Sequence, residues 1–147
     1  MKKALVVVVM VSVLLLTGCF SSKLEPATSE KVLEYTRSSN YGTLEDTKNY
    51  YFITVYANKK IVSGRINDTE YKEKTLTDKE YQKVMDLAFT SSFKNMGSDI
   101  SDNSIMDGSS QYITLYYADG TTFKTGGLNP TKKEFTKVAN KLEELVK

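Results

Sequence analysis

The chain has 147 residues, enough for one domain with a modest core. It holds no histidine and a single cysteine, so it has no Ser-His or Cys-His catalytic pair, no imidazole metal site and no internal disulfide. A net charge of +2 gives no general electrostatic grip on nucleic acid. Proton transfer would rest on Asp, Glu, Lys or Tyr alone. The expectation is therefore a non-enzymatic protein with no cofactor, no metal and no nucleic-acid partner.

Lys2 and Lys3 open the chain and thirteen apolar or small residues follow, Ala4 to Leu16. That run is too short to span a bilayer, which takes about twenty residues. It ends in Leu16-Thr17-Gly18-Cys19. A basic start, a short apolar segment and small residues make an export signal. The last four residues resemble the lipobox of bacterial lipoproteins. The resemblance implies that residues 1–18 are a signal peptide cleaved after Gly18. It also implies that Cys19 takes a thioether-linked diacylglycerol, usually with an amide-linked acyl chain such as palmitate. The protein would then sit on the extracytoplasmic face of the cell membrane, its bilayer partner held through acylated Cys19. Two or three acyl chains anchor durably where one is marginal. Removing Lys2 and Lys3 from 20 basic residues leaves 18 against 18 acidic ones, a mature side-chain charge of zero.

Residues 19–30 read as the lipidated tether, with no apolar period and one of the two prolines, Pro26. Residues 31–147 read as a single α+β domain. Lys31 to Arg37 has the β-branched and aromatic content of a first strand. Residues 38–49 read as a loop. Tyr50 to Tyr56 alternates Tyr51, Ile53 and Val55 with Tyr50, Phe52, Thr54 and Tyr56, the period of a strand covered on both sides. Ile61 to Ile66 is its expected hairpin partner, with Gly64 marking a bulge or close approach. Glu70 to Leu76 is a candidate edge strand guarded by Lys72 and Lys74.

Thr77 and Glu80 are spaced as a capping box, with Leu76 and Tyr81 as the hydrophobic staple, and open a helix expected to run to about Ser92. Tyr81, Val84, Met85 and Ala88 form its buried stripe. Residues 93–110 read as a loop. Gln111 to Tyr117 and Thr121 to Thr125 form a second hairpin, with Phe123 inward and Asp119-Gly120 as an expected type I′ turn. Gly126-Gly127 is expected to break that strand. A last helix starts at Pro130 or Thr131, capped by Asn129 or by Thr131 with Glu134, and buries Phe135, Val138, Ala139, Leu142, Leu145 and Val146. The order β-β-β-(β)-α-β-β-α predicts an antiparallel sheet of about five to six strands with two amphipathic helices on one face.

Two polar stretches invite a chemical reading and decline it. Asp99 to Ser110 spaces oxygen ligands like a calcium loop, but Ser104 stands where the turn needs Gly and Ser110 where a bidentate Glu is required. Local Asx turns are the plainer expectation. Asp107-Gly108-Ser109-Ser110 sets a carboxylate beside two hydroxyls with no base near in sequence. The tyrosines stand out more. Tyr50, Phe52, Tyr56, Tyr112 and Tyr116 share one parity on the two best strands, opposite Ile53, Val55, Ile113 and Leu115. If the aliphatic side meets the helices, the aromatic side is a surface suited to protein or glycan recognition. The bland alternative is that Tyr simply favours strands.

Tyr35 to Arg37, Asp107-Gly108-Ser109, Asp119-Gly120, the Gly126-Gly127 break with Asn129-Pro130 and the Phe135-led helix together resemble small uncharacterised lipoproteins of low-GC bacteria. That resemblance spans most of the mature chain, rests on turns and caps, and carries over no active-site residue. Three functions follow as expectations. The first is a membrane-anchored binding or accessory module for a protein or glycan of the envelope. The second is an inhibitor or immunity-type lipoprotein acting through Ser98 to Ser110 or Asp119-Gly120. The third is a hydrolase using two carboxylates about 5–10 Å apart.

Overall fold

The computed structural model describes residues 24–28, 30–38, 50–104 and 108–147, with Tyr50 described in its backbone only. Among the described residues there are six strands: β1 (Lys31–Ser38), β2 (Tyr50–Tyr56), β3 (Lys60–Arg65), β4 (Lys72–Thr75), β5 (Ser110–Tyr116) and β6 (Thr122–Leu128). They form one antiparallel sheet in the order β4-β3-β2-β1-β5-β6, so the first strand in the chain lies between two hairpins. The helices are α1 (Asp78–Ala88), a single turn α2 (Ser91–Lys94) and α3 (Lys133–Leu145). This is the expected α+β fold. Among the described residues no helix is long and apolar enough to cross a membrane.

Register assigns the faces. Leu33 stands opposite Val55 and Leu115, and Tyr35 opposite Ile53 and Ile113. These six are at most 1 % exposed and form one core with Val84, Met85 and Ala88 of α1, Phe93 of α2, and Phe135, Val138, Leu142 and Leu145 of α3. The apolar period of each helix therefore lands on the aliphatic parity of the strands, and the helices cover that face alone.

α1 begins as its sequence predicts. The Glu80 amide donates to Thr77 Oγ1 (3.2 Å) and the Thr77 amide donates to Glu80 Oε2 (2.8 Å), closing the capping box. The helix does not reach Ser92. It stops at Ala88, and Thr90 caps a fresh turn through its hydroxyl, which accepts from the Phe93 amide at 3.1 Å. The break turns Phe93 into the core, fully buried and edge-on to Phe123 at 6.4 Å. α3 starts at Lys133 with Lys132 at its cap and no side-chain capping bond, so neither expected cap forms. Asn129 is used elsewhere: its Oδ1 accepts from the Ser109 amide at 3.0 Å.

Both hairpins at one end of the sheet turn in the same way. In Ala57-Asn58-Lys59 the Lys59 amide donates to the Tyr56 carbonyl (3.0 Å), and in Ala118-Asp119-Gly120 the Gly120 amide donates to the Tyr117 carbonyl (3.0 Å). Lys59 (φ 66°) and Gly120 (φ 82°) take the left-handed position of a three-residue turn. Asp119 does not share that conformation, so the expected two-residue type I′ turn is replaced by this longer form. Its carboxylate instead accepts from the Thr121 amide and hydroxyl.

β6 runs on through Gly126-Gly127, correcting the expected break. The two glycines let residues 97–102 lie against the outer edge of β6. The Ile100 amide donates to the Gly126 carbonyl (2.8 Å) and the Asp102 amide to the Leu128 carbonyl (2.8 Å). A Cβ on Gly127 would stand 2.1 Å from Ser101 Oγ. The segment expected to be a plain loop thus protects an edge strand.

The stretch expected to be a free tether is also partly structured. Residues 24–28 and Glu30 strap the two turns together. The Ala118 amide donates to the Glu25 carbonyl (3.0 Å), the Ala27 amide to the Tyr116 carbonyl (2.9 Å), and the Ala57 amide to the Glu30 carbonyl (2.9 Å).

Candidate functional site

Among the described residues no helix lies on the opposite face of the sheet. Its rows follow from the same register. One row reads Gly64, Phe52, Thr36, Tyr112, Gly126 across five strands. Nearer the turns, Tyr56 stands opposite Lys31, with Tyr116 on β5 and Thr122 opposite it on β6. Phe52, Tyr56, Tyr112 and Tyr116 are all half-buried and all on this face. Thr36 and Thr54 between them are buried at 5 % and 2 % exposure. At the usual spacing of about 4.8 Å per strand, Phe52 and Tyr112 stand about 10 Å apart with Thr36 as the floor between them. Tyr50, the fifth residue of the expected surface, has its side chain outside the described residues.

Glycines shape the two ends of the upper row. A Cβ on Gly126 would fall 2.8 Å from Cδ1 of Tyr112, so that ring lies down over the neighbouring strand. A Cβ on Gly64 would fall 2.5 Å from Cδ1 of Tyr71, which covers that glycine. Tyr71 packs edge-on to Phe52 at 5.2 Å and 74° and is 49 % exposed. Sequence reading placed no weight on Tyr71. The signal was its parity with Glu73, which stands opposite Val62 of the same face.

Lysines border the rings. Lys124 Nζ lies 4.6 Å from the Tyr112 ring centre and Lys60 Nζ 5.5 Å from that of Tyr56. Each such contact contributes roughly 0.5–1 kcal/mol at an exposed site. Lys60 also pairs with Glu73 (3.1 Å) and Lys31 with Glu34 (2.6 Å). The hydrogen bond to Glu34 holds the Lys31 ammonium above its ordinary range. At the foot of this face a cleft of about 300 Å³ opens between the strap and the second hairpin, lined by Lys31, Tyr116, Thr28 and Thr121. Flat rings, hydroxyl floors and flanking cations suit stacking and hydrogen bonding.

A second polar group closes the edge of the core. The Tyr35 hydroxyl lies 2.9 Å from Gln111 Oε1 and 3.2 Å from Glu143 Oε1, and Arg37 Nη1 donates to the same Glu143 oxygen at 2.9 Å. Burial, and then the Glu143 carboxylate, push the Tyr35 phenol far above its ordinary range. This network clamps α3 to β1 and β5.

The acidic stretches behave as turns. Asp99 Oδ1 accepts from the Ser101 amide and hydroxyl, and Asp102 Oδ1 from those of Ser104. Those bonds hold both carboxyls below their ordinary range. Asp107 lies outside the described residues. Among the described residues no three His, Cys, Asp or Glu side chains gather as a metal site. Asp78, Glu80 and Asp119 are likewise held below their ordinary range, by Lys59, by the Thr77 amide and by Thr121 respectively. Asp102, bonded to Leu128, and Asp119-Gly120 sit toward opposite ends of the β5–β6 hairpin, about 20 Å apart, whereas Ser98, bonded to Gly126, lies partway along it.

Cys19 and the residues before it lie outside the described residues. The chain matches no known family model, and no characterised protein matches it in sequence.

Proposed function

We propose that this chain is a bacterial lipoprotein whose Cys19 is acylated and whose domain serves, on the outer face of the cell membrane, as a binding or accessory module. Phe52, Tyr56, Tyr112 and Tyr116, with Tyr71 beside them, form the contact surface for a protein or glycan of the envelope. The observation that carries this reading is a sheet face that no described helix covers, where four half-buried rings lie together and Tyr56 and Tyr112 each have a lysine against the ring. The core is built from the other face, so packing beneath the helices does not account for these rings. Large rigid rings with polar tips give contact area at low entropic cost. The Leu16-Thr17-Gly18-Cys19 sequence supports the anchor. The lack of histidine, the lowered carboxyls and the clamped Tyr35 network favour binding over a carboxylate hydrolase.

The test joins Tyr112→Ala to Tyr116→Ala. Each change costs about 1 kcal/mol of strand stability, so the variant stays folded by circular dichroism. Whole-cell crosslinking should recover the wild-type partner and lose it in the variant. Equal recovery from a folded variant removes this face from the function. Intact mass of the membrane-extracted protein reads the anchor separately: a free thiol on an uncut precursor ends the lipoprotein reading.

A further inference from the structure

The strap sets how the domain stands on the bilayer. This inference rests on the acylation of Cys19 proposed above. Four residues, 20–23, separate Cys19 from Leu24. Five Cα steps of 3.8 Å reach at most about 19 Å. From Glu25 the chain is held: Glu25 and Ala27 bond to Ala118 and Tyr116 of the second hairpin, and Glu30 to Ala57 of the first. Pro26 pairs with Tyr117 as an isolated bridge. The anchor therefore leaves the domain at one end of the sheet, beside the turns Ala57-Asn58-Lys59 and Ala118-Asp119-Gly120. The opposite end, with Asp68 and Leu128, is farther by the length of a strand, about 20 Å for β5.

We infer that the strap end abuts the lipid headgroups, with both hairpin turns against the membrane and the Asp68–Leu128 end pointing away. The short leash imposes this orientation; charge does not. Lys59 pairs with Asp78, Lys60 with Glu73 and Lys31 with Glu34, and the one further lysine described beside the second turn, Lys94, faces Glu25 and Asp119, with Glu30 at the same end. That balance gives no pull toward anionic lipid. On the aromatic face the row of Tyr56 and Tyr116 then stands nearest the headgroups, and Phe52 and Tyr112 about 13 Å higher. The partner's contact site lies close to the bilayer surface.

The test uses the full-length gene expressed in a bacterium. The protein is extracted from the membrane and placed in phosphatidylcholine nanodiscs doped with a gadolinium-chelating lipid. Intact mass first shows whether Cys19 carries lipid; where it does not, a maleimide phospholipid coupled to Cys19 supplies the anchor, so the two readings fail separately. Amide signals of Asn58, Lys59, Asp119 and Gly120 are expected to lose most of their intensity while those of Asp68 and Leu128 keep theirs. Equal loss at both ends, or greater loss at Asp68 and Leu128, overturns the orientation. Inserting about twenty Gly and Ser residues before Lys23 gives a leash with an r.m.s. span of about 25 Å and should level the two ends. A contrast unchanged by the insertion overturns the leash as its cause. Replacing half the phosphatidylcholine with phosphatidylglycerol should leave the contrast as it was; a contrast that appears only with the anionic lipid overturns the leash in favour of charge.

Discussion

Gly64→Ala and Gly126→Ala place the same methyl group in the same row of the sheet, yet they should part company by several kcal/mol. At Gly64 the three atoms nearest the added carbon all belong to the Tyr71 ring, the closest being Cδ1 at 2.5 Å. That ring is 49 % exposed and can swing outward. The loss is its edge-on contact with Phe52, about 0.5–1.5 kcal/mol. Replacing a strand glycine returns about 0.5–1 kcal/mol of backbone entropy. The two nearly cancel, and the net change should stay within about 1 kcal/mol. At Gly126 the backbone sits at φ 151°, and the added carbon falls 2.1 Å from the Gln111 carbonyl oxygen and 2.7 Å from Tyr112 Cα. Neither can move without parting β5 from β6. Strain of about 1–3 kcal/mol adds to two or more ladder bonds at about 0.5–1.5 kcal/mol each. The total, about 2–6 kcal/mol, is a large part of the 5–15 kcal/mol typical of a domain. Urea unfolding followed by circular dichroism measures both from the shift in midpoint at constant slope. A Gly64→Ala loss above about 2 kcal/mol, or a Gly126→Ala loss below about 1 kcal/mol, refutes the reasoning.

Two tyrosine hydroxyls should respond oppositely to deletion. Tyr117 is 6 % exposed and its buried hydroxyl has no partner among the described residues, so Tyr117→Phe should hold or raise the melting temperature. Tyr35→Phe removes a hydroxyl set between Gln111 and Glu143 and should cost about 1–2 kcal/mol; equal shifts in calorimetry would contradict the assigned contacts. The Glu80 carboxyl is held down to about 2, first by the Thr77 amide, then by Lys74 and the Thr77 hydroxyl. A folded value below the unfolded one near 4.5 gives stability that is present above pH 4.5 and fades as pH falls toward 2. Glu80→Gln should flatten that acid limb, and a carboxyl carbon titration by NMR near 4.5 in the native protein would rule the box out as its cause.

Periodicity made the two main helices and both hairpins readable, because an apolar face that must be buried writes itself into the spacing of Val84, Met85 and Ala88 or of Ile113 and Leu115. Parity likewise separated the aromatic set from the core. The misreadings share a different origin. Gly126-Gly127 looks like a strand breaker until residues 97–102 are seen lying against it. Asn129 looks like a helix cap until its amide is found holding Ser109. Asp119-Gly120 fits a two-residue turn by composition, yet Ala118 joins the turn because its amide bonds the strap. In each case a contact distant in sequence decided between two conformations that local chemistry allowed equally. Tyr71 was missed for the same reason, since its place beside Phe52 depends on the β3–β4 register.

The central position of β1 has a bearing on assembly. This strand is made early, yet both its hydrogen-bonding edges are filled by partners that come later, β2 and then β5. A chain halted before Ser110 would keep one of those edges bare, an open template for any other extended chain. Closure must wait for the last hairpin, which makes for slow folding through distant pairings. Fragments ending near Thr90 should accordingly aggregate where the whole chain remains dispersed, and light scattering of such fragments would show whether they do.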